Sequence, residues 1–434
     1  MPGMADVTNN STRAALIRNA YLAHLRWKAM QSHMAHHYIE LHALAASLKL
    51  FKPGAIVPWV SYLFPTEILN SYGITPMIPE LGSATLTGSD LCEAVESAAD
   101  SMPLARDVCS YHRIALAAVE NDMLPPPSMC LGTTPLCLGK ECLLEMLATQ
   151  YNVPFREIHV PLPPDEGDAS VETVNYVAEQ IQQMHEDIGR WTERKPNLKK
   201  TIQLSNRASV AWEQITQERL SGKLELNGRR TFPIVFMGQL LWGTTTAAKD
   251  FERLLDDRGR RELLVCALDE AEATHPVEIA RPVGSVCLSG DTRPRKRLLW
   301  LHTVPHHDTQ LFSMLEKRGA VVIFAEMEQM HTETIDPDDP FPGLAKRLTD
   351  HALWGSSARR ARLTVALAKQ VQADGVVHFN HWGCRHGLGS LPVLHKAFRE
   401  AGIPFLDIDG DALEKSGPQQ EKSLQAMESF LELL

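Results

Sequence analysis

At 434 residues, with a formal net charge of −10 and no Lys/Arg-rich block to offset it, the chain does not suit a nucleic-acid backbone binder. The length asks for two or three domains with sizeable cores. No apolar run reaches the roughly 18 residues of a membrane span, and the N-terminus lacks a signal layout, so a cytoplasmic protein is expected.

Residues Thr12 to Leu50 carry helical periodicity, with Leu16, Ile17, Ala20, Tyr21, Leu25 and Trp27 placed on one side. Ala55 to Val60 reads as a short strand, Pro65 to Gly73 as a helix with a Gly stop, and Ile74 to Ile78 as an extended segment ended by Pro79-Glu80. Ser128 to Thr134 runs apolar into a turn, Lys140 to Tyr151 is helical, and Val153 to Pro161 is a strand. That alternation marks a parallel α/β domain. Ser170 to Leu224 turns helical and polar, Pro233 to Thr245 is apolar without a clear period, and Arg253 to Ala280 is mostly helical.

A second α/β rhythm follows. Arg297 to Leu301 and Ala320 to Phe324 are strands around a helix at Gln310 to Arg318, which stops at Gly319. A helix at Ala361 to Gln372 leads into a strand beginning at Asp374-Gly375. A helix-strand unit at Lys396 to Ile408 and a helix at Gln420 to Leu434 close the chain. The expectation is two parallel-sheet domains of flavodoxin-like or Rossmann-like type with helical N-terminal and middle segments. Its boundaries are a helical segment at 1–50, a first α/β domain at 51–165, a helical connection at 166–290 and a second α/β domain at 291–434.

Chemistry concentrates in His378-Phe379-Asn380-His381-Trp382-Gly383-Cys384-Arg385-His386-Gly387, at the predicted end of a buried parallel strand. Ligands collect beyond the carboxyl ends of strands in open α/β sheets. A thiol flanked by imidazoles and a guanidinium is biased toward thiolate, the form that binds metal or attacks electrophiles. A buried Cys in a polar turn is the plainer reading. Eight cysteines in a cytosolic chain are not expected to form a disulfide framework, and no C-x-x-C pair occurs to mark a zinc ribbon or a thioredoxin-type motif.

Four segments taken in order resemble the 2-hydroxyacyl-CoA dehydratase and benzoyl-CoA reductase family, and most of all its larger dehydratase subunit. Ser61 to Leu69, through Met77-Ile78-Pro79-Glu80, looks like the family's Pro-x-Glu-Leu helix and Pro-Glu turn. Asp107-Val108-Cys109-Ser110-Tyr111 matches its first Cys motif, and Thr133-Thr134-Pro135-Leu136-Cys137-Leu138-Gly139-Lys140 its second. The run through Trp382-Gly383-Cys384 resembles the third and is followed by Ile403-Pro404 and Asp409-Gly410-Asp411.

The resemblance implies that Cys109, Cys137 and Cys384 ligate one [4Fe-4S] cluster with one open iron. It implies a separate ATP-hydrolysing iron-sulfur activator and a paralogous smaller subunit, since this chain contains no Walker A loop. It also implies water elimination from an acyl-CoA through a ketyl radical. Glu80 would act as base or hold the iron-bound oxygen, and Ser61 would hydrogen-bond substrate. His381, Arg385 and His386 could donate protons or bind the CoA phosphates, though such residues more often support a site through hydrogen bonds. A ring-reducing benzoyl-CoA reductase-type subunit, a double-cubane reductase using Cys130 and Cys142, and a non-catalytic paralogue are the alternatives. Leu138 replaces the Asp usual beside the second Cys. The family's Gly-Gln and Thr-Arg pairs are weakened here to Pro418-Gln419-Gln420 and Gln425-Ala426.

Overall fold

The computed structural model describes residues 19, 22–27, 29–30, 35–134, 136–221, 228–256, 295–306, 309–329, 333–414 and 417–434. Seven described strands form two sheets, both wholly parallel. The first contains β1 (Pro58–Val60), β2 (Met129–Thr133) and β3 (Phe155–Ile158), in that order. The second contains β4 (Lys296–Leu301), β5 (Ala320–Ala325), β6 (Gly375–His381) and β7 (Phe405–Gly410), in the order β5-β4-β6-β7. The expected α/β architecture with two parallel sheets is therefore present.

In the second sheet the chain leaves its first strand β4 to one side for β5, then crosses back for β6. This reversal makes a topological switch point between the carboxyl ends of β4 and β6, where such sheets bind ligands. Strand periodicity divides the packing. Leu298 and Trp300 of β4 face a core shared with the first sheet's Trp59 and Cys130, while Leu299 and Leu301 face the opposite core with Leu394 and Phe398. Strands covered on both faces are buried throughout, as β2 and β6 are; β2 is nearly all apolar, whereas β6 carries His378, Asn380 and His381 in its second half.

The helix Ser110–Glu120 lies in the shared core and is buried from Ser110 to Val119. Its apolar part, Ile114 to Val119, suits such enclosure, while the buried Ser110, His112 and Arg113 of its first turn are polar. The long helices Val171–Thr192 and Leu198–Leu220 pack on the outer face of the first sheet, with Ile181, Ile188, Ala208 and Ile215 in that core. Ser170 and Asn197 cap them, accepting from the backbone N–H of Thr173 and Lys200.

One local expectation changes. Leu25 is buried but Trp27 is 50% exposed, because residues two apart on a helix cannot share a face; Leu16, Ile17, Ala20 and Tyr21 lie outside the described residues. Ile74 to Ile78 runs extended as expected and joins the first sheet through the single bridge of Met77 to Trp59. Pro79-Glu80 starts a helix, Pro79–Thr87, since proline at the first helical position surrenders no bonded N–H. The stretch without a clear period resolves as the helix Gly228–Leu241, and the chain from 257 to 294 lies outside the described residues. Among the described residues no helix is long and apolar enough to cross a membrane.

Candidate functional site

Cys109, Cys137 and Cys384 each occupy the N-cap of a helix: Ser110–Glu120, Leu138–Tyr151 and Arg385–Glu400. The second follows β2 and the third follows β6, so two thiols hang from strand carboxyl ends. Helix N-termini present unpaired N–H groups and favour negative charge; the N–H of Gly387 reaches the Cys384 Sγ at 3.5 Å. The three segments come together. Burial pushes the Cys109 thiol well up, and the charges of Cys384 and Cys137 push it further. Burial takes Cys137 to about 11 against the opposing pull of Lys140 and a backbone N–H, with Cys384 again raising it. Gly383 makes the approach of the first and third segments possible. Its φ is +76°, and a Cβ there would lie 2.6 Å from the Cys109 nitrogen.

Each thiol faces an imidazole. His381 Nε2 lies 3.2 Å from Cys109 Sγ, His302 Nε2 3.3 Å from Cys384 Sγ, and His112 Nε2 4.0 Å from Cys137 Sγ. Backbone partners give two of these rings opposite tautomers. The Ala412 N–H donates to His381 Nδ1 at 3.1 Å, so the neutral ring carries its proton on Nε2, toward Cys109. His302 Nδ1 lies 3.0 Å from the Phe379 carbonyl, which can only accept, so the proton sits there and the other nitrogen turns toward Cys384. Burial opposes charge at both members of that pair. The mutual attraction of His302 and Cys384 outweighs it, raising the imidazole and bringing the thiol down to about 7. Burial lowers His381 to about 4, and burial together with Lys140 lowers His112 to about 3.

The carboxyl ends of β4, β5 and β6 form a closed network around His302. Its backbone N–H donates to Glu326 Oε2 at 3.0 Å, and Glu326 receives a two-pronged pair from Arg360 at 2.7 and 2.6 Å. Arg360 also donates to Ser390 Oγ at 2.6 Å. Burial would raise Glu326, but Arg360 holds it at about 2. His378 stacks parallel to His302 with centroids 5.5 Å apart and bonds Asn380 at 2.7 Å. His302 itself has φ of +69°, an uncommon conformation held by this packing. After β7, Asp411 accepts from Ser110 Oγ at 2.7 Å, tying the start of the Cys109 helix to the second sheet.

The first sheet contributes Ser61, Glu80 and Lys140. Ser61 is fully buried, its Oγ 2.9 Å from Thr133 Oγ1 across the ends of β1 and β2. Glu80, in the first turn of its helix, has an Oε2 shielded from solvent with no hydrogen-bond partner. Burial raises its pKa, moderated by Lys140. Lys140 is fully buried, and its Nζ has no hydrogen-bond partner.

The three cysteines, Glu80 and His381 thus lie in one region. Ser61 is turned to Thr133, Arg385 is exposed, and His386 is partly buried with its Nε2 unpartnered. Cys130 is buried in the shared core, where burial pushes its thiol up to about 12, and Cys142 is exposed on its helix. Sequence reasoning missed His112, Lys140, His302, Glu326 and Arg360. His302 was within reach, because it is the first polar residue past the buried strand β4, the position that singled out the Cys384 segment. Val108, Leu138 and Trp382, each within two residues of one of these cysteines, are exposed.

Fold and site together define a doubly parallel α/β protein with three convergent thiols at helix N-termini. Residues 61–434 match the family described as 2-hydroxyglutaryl-CoA dehydratase, D-component, and the chain belongs to that family. It is similar to the (R)-phenyllactyl-CoA dehydratase alpha subunit of Clostridium sporogenes, 23% identical over 406 residues that cover 89% of this chain and 92% of that one. The beta subunit of the same enzyme is 28% identical over 142 residues, 31% of this chain and 38% of that one. The chain is thus a dehydratase-family component, which places it with the lyases at the coarse level.

Proposed function

We propose that this chain is the cluster-bearing subunit of a 2-hydroxyacyl-CoA dehydratase, in which Cys109, Cys137 and Cys384 hold one [4Fe-4S] cluster with one iron free of cysteine. The observation that carries the reading is the convergence of three thiols from distant segments, each at a helix N-terminus. Thiolate donors suit iron-sulfur chemistry. Among the described residues no group of His, Cys, Asp or Glu side chains is arranged to hold a single metal ion. Thiols that feel one another's charge without closing on one ion suit a larger group. Cys130 in the core and Cys142 on the surface argue against a double cubane.

A cluster held by Cys109, Cys137 and Cys384 would supply a one-electron reductant and a Lewis-acidic iron. The electron comes from a separate ATP-hydrolysing iron-sulfur activator, because this chain has no Walker A loop. The thioester becomes a ketyl radical anion and expels the α-hydroxyl, the β-proton then becomes acidic, and the electron returns. Net loss is one water. Glu80 fits the proton transfers: its buried Oε2 is unpartnered and its pKa is raised toward working pH. His381 offers its Nε2 proton to the Cys109 sulfur, and the Glu326–Arg360 pair fixes the loop that carries His302. Ser61, steadied by Thr133, offers a hydroxyl to the substrate. The exposed Val108, Leu138 and Trp382 suit burial beneath a paralogous subunit, consistent with the alpha and beta subunits of the similar enzyme.

The test is iron and sulfide analysis with electron paramagnetic resonance after anaerobic purification. About four irons per chain are expected, lost in Cys109→Ala, Cys137→Ala or Cys384→Ala. A folded, iron-free wild type that no reconstitution loads would sink the reading.

A further inference from the structure

Lys140 is the buried charge that the site leaves unused. Its side chain is fully enclosed and its Nζ makes no hydrogen bond. A buried ammonium without a partner is costly, and native structures rarely keep one without a ligand to satisfy it. Its surroundings repeat the pattern. Glu80 Oε2, His112 Nδ1, Glu141 Oε1 and Glu157 Oε1 are also shielded from solvent and unpartnered. The Lys140 charge is felt at all four of these groups and at Cys137. They come from separate elements: the helix Pro79–Thr87, the helix Ser110–Glu120, the helix after Cys137, and β3. Lys140 is the fully enclosed member of the group, and Glu80, Cys137, Glu141 and Glu157 are each partly buried around it.

A ligand that partners these atoms needs an acceptor for Nζ and a group that exchanges a proton with Glu80. A 2-hydroxyacyl thioester has both, in its carbonyl oxygen and in the hydroxyl and hydrogens beside it. We propose that Lys140 is a catalytic residue that donates a hydrogen bond from Nζ to the thioester carbonyl oxygen. The inference rests on the dehydratase reading above. That oxygen gains negative charge when one electron from the iron-sulfur activator enters the thioester, and loses it when the electron leaves. Lys140 breaks and forms no covalent bond in this step. A fixed cation attracts the charged state more strongly than the neutral thioester, so its contribution to rate exceeds its contribution to binding.

The test compares two unreactive probes on the anaerobic complex: a saturated acyl-CoA without the α-hydroxyl, and its thioether counterpart with CH2 in place of the carbonyl. Calorimetry gives the ratio of their Kd values, and iron is measured on every sample. Wild type is expected to favour the thioester, and Lys140→Met to shrink that ratio at least about tenfold, as for a hydrogen bond from a charged donor. Lys140→Arg should recover part of the ratio, and kcat in Lys140→Met should fall more than KM rises. Iron should stay at the wild-type level.

An unchanged ratio in Lys140→Met with full iron overturns the assignment. So does a loss of iron shared by Lys140→Met and Lys140→Gln, which makes Lys140 a structural prop of the thiol site. An iron-free wild type is a different failure, that of the dehydratase reading itself.

Discussion

The two sheets meet the site with opposite degrees of completion. On the second sheet's side, Glu326, Arg360, Ser390, His378, Asn380 and His302 form a network in which the charged groups are paired and the strained backbone of His302 is pinned. On the first sheet's side, Glu80, Glu141 and Glu157 all feel the charge of Lys140, yet each of the four leaves a buried atom unpartnered. The difference separates a frame from a receptacle. Satisfied networks set position, whereas unsatisfied ones hold capacity for a ligand.

If the second side is the frame, breaking it is the most damaging change. Arg360→Met leaves the Glu326 carboxylate buried without its partner, which costs about 3–5 kcal/mol. Denaturant unfolding of the iron-free chain measures it, and the Glu326→Gln, Arg360→Met double variant should recover much of the loss. A single variant within about 1 kcal/mol of wild type would show that the network does not carry the frame.

The contrast also predicts unequal thiols. Cys384, on the framed side, is brought down to about 7 by His302, while Cys137, on the other side, stands at about 11 through burial. Alkylation of iron-free protein at Cys384 should therefore fall as pH drops below about 7 and level off above it. Cys137 should keep gaining reactivity toward about 11. At pH 8 nearly all Cys384 and almost no Cys137 is thiolate. The lower intrinsic nucleophilicity of a low-pKa thiolate trims that lead to about tenfold. Peptide mass analysis of partly labelled protein reads the order, and equal labelling at pH 8 removes the distinction between the two sides.

What was legible in the sequence follows the same division. The β-strands showed as apolar runs, and β6 was readable from its apolar first half, although the polar run through Cys384 begins inside the strand at His378. Cys109 and Cys137 were readable through motif resemblance, though nothing local says that residues 272 apart, Cys109 and His381, meet at 3.2 Å. His302, Glu326 and Arg360 were not legible, because their meeting depends on the strand order β5-β4-β6. That order is fixed by long-range packing and leaves no local period. Lys140 was hidden for another reason. A lysine in the first turn of a helix reads as a solvated face, and its enclosure near Glu80 and Glu157 comes from segments distant in sequence.

The smallest effect is the sharpest test of the receptacle. A structural lysine buried among carboxylates should destabilise the fold when removed, as Arg360 should. Lys140 has no bonded partner to leave behind, and methionine has a similar length and no charge to desolvate. Three carboxylates lose a favourable field, but all three are partly open to solvent, and burial already raises the pKa of each. Lys140→Met should therefore unfold within about 1 kcal/mol of wild type, on either side. Stability retained while the thioester preference is lost places the residue in the receptacle, as residues kept for function at the expense of stability generally behave. A loss as large as that of Arg360→Met would make both sides frame, and the unpartnered atoms would need another account.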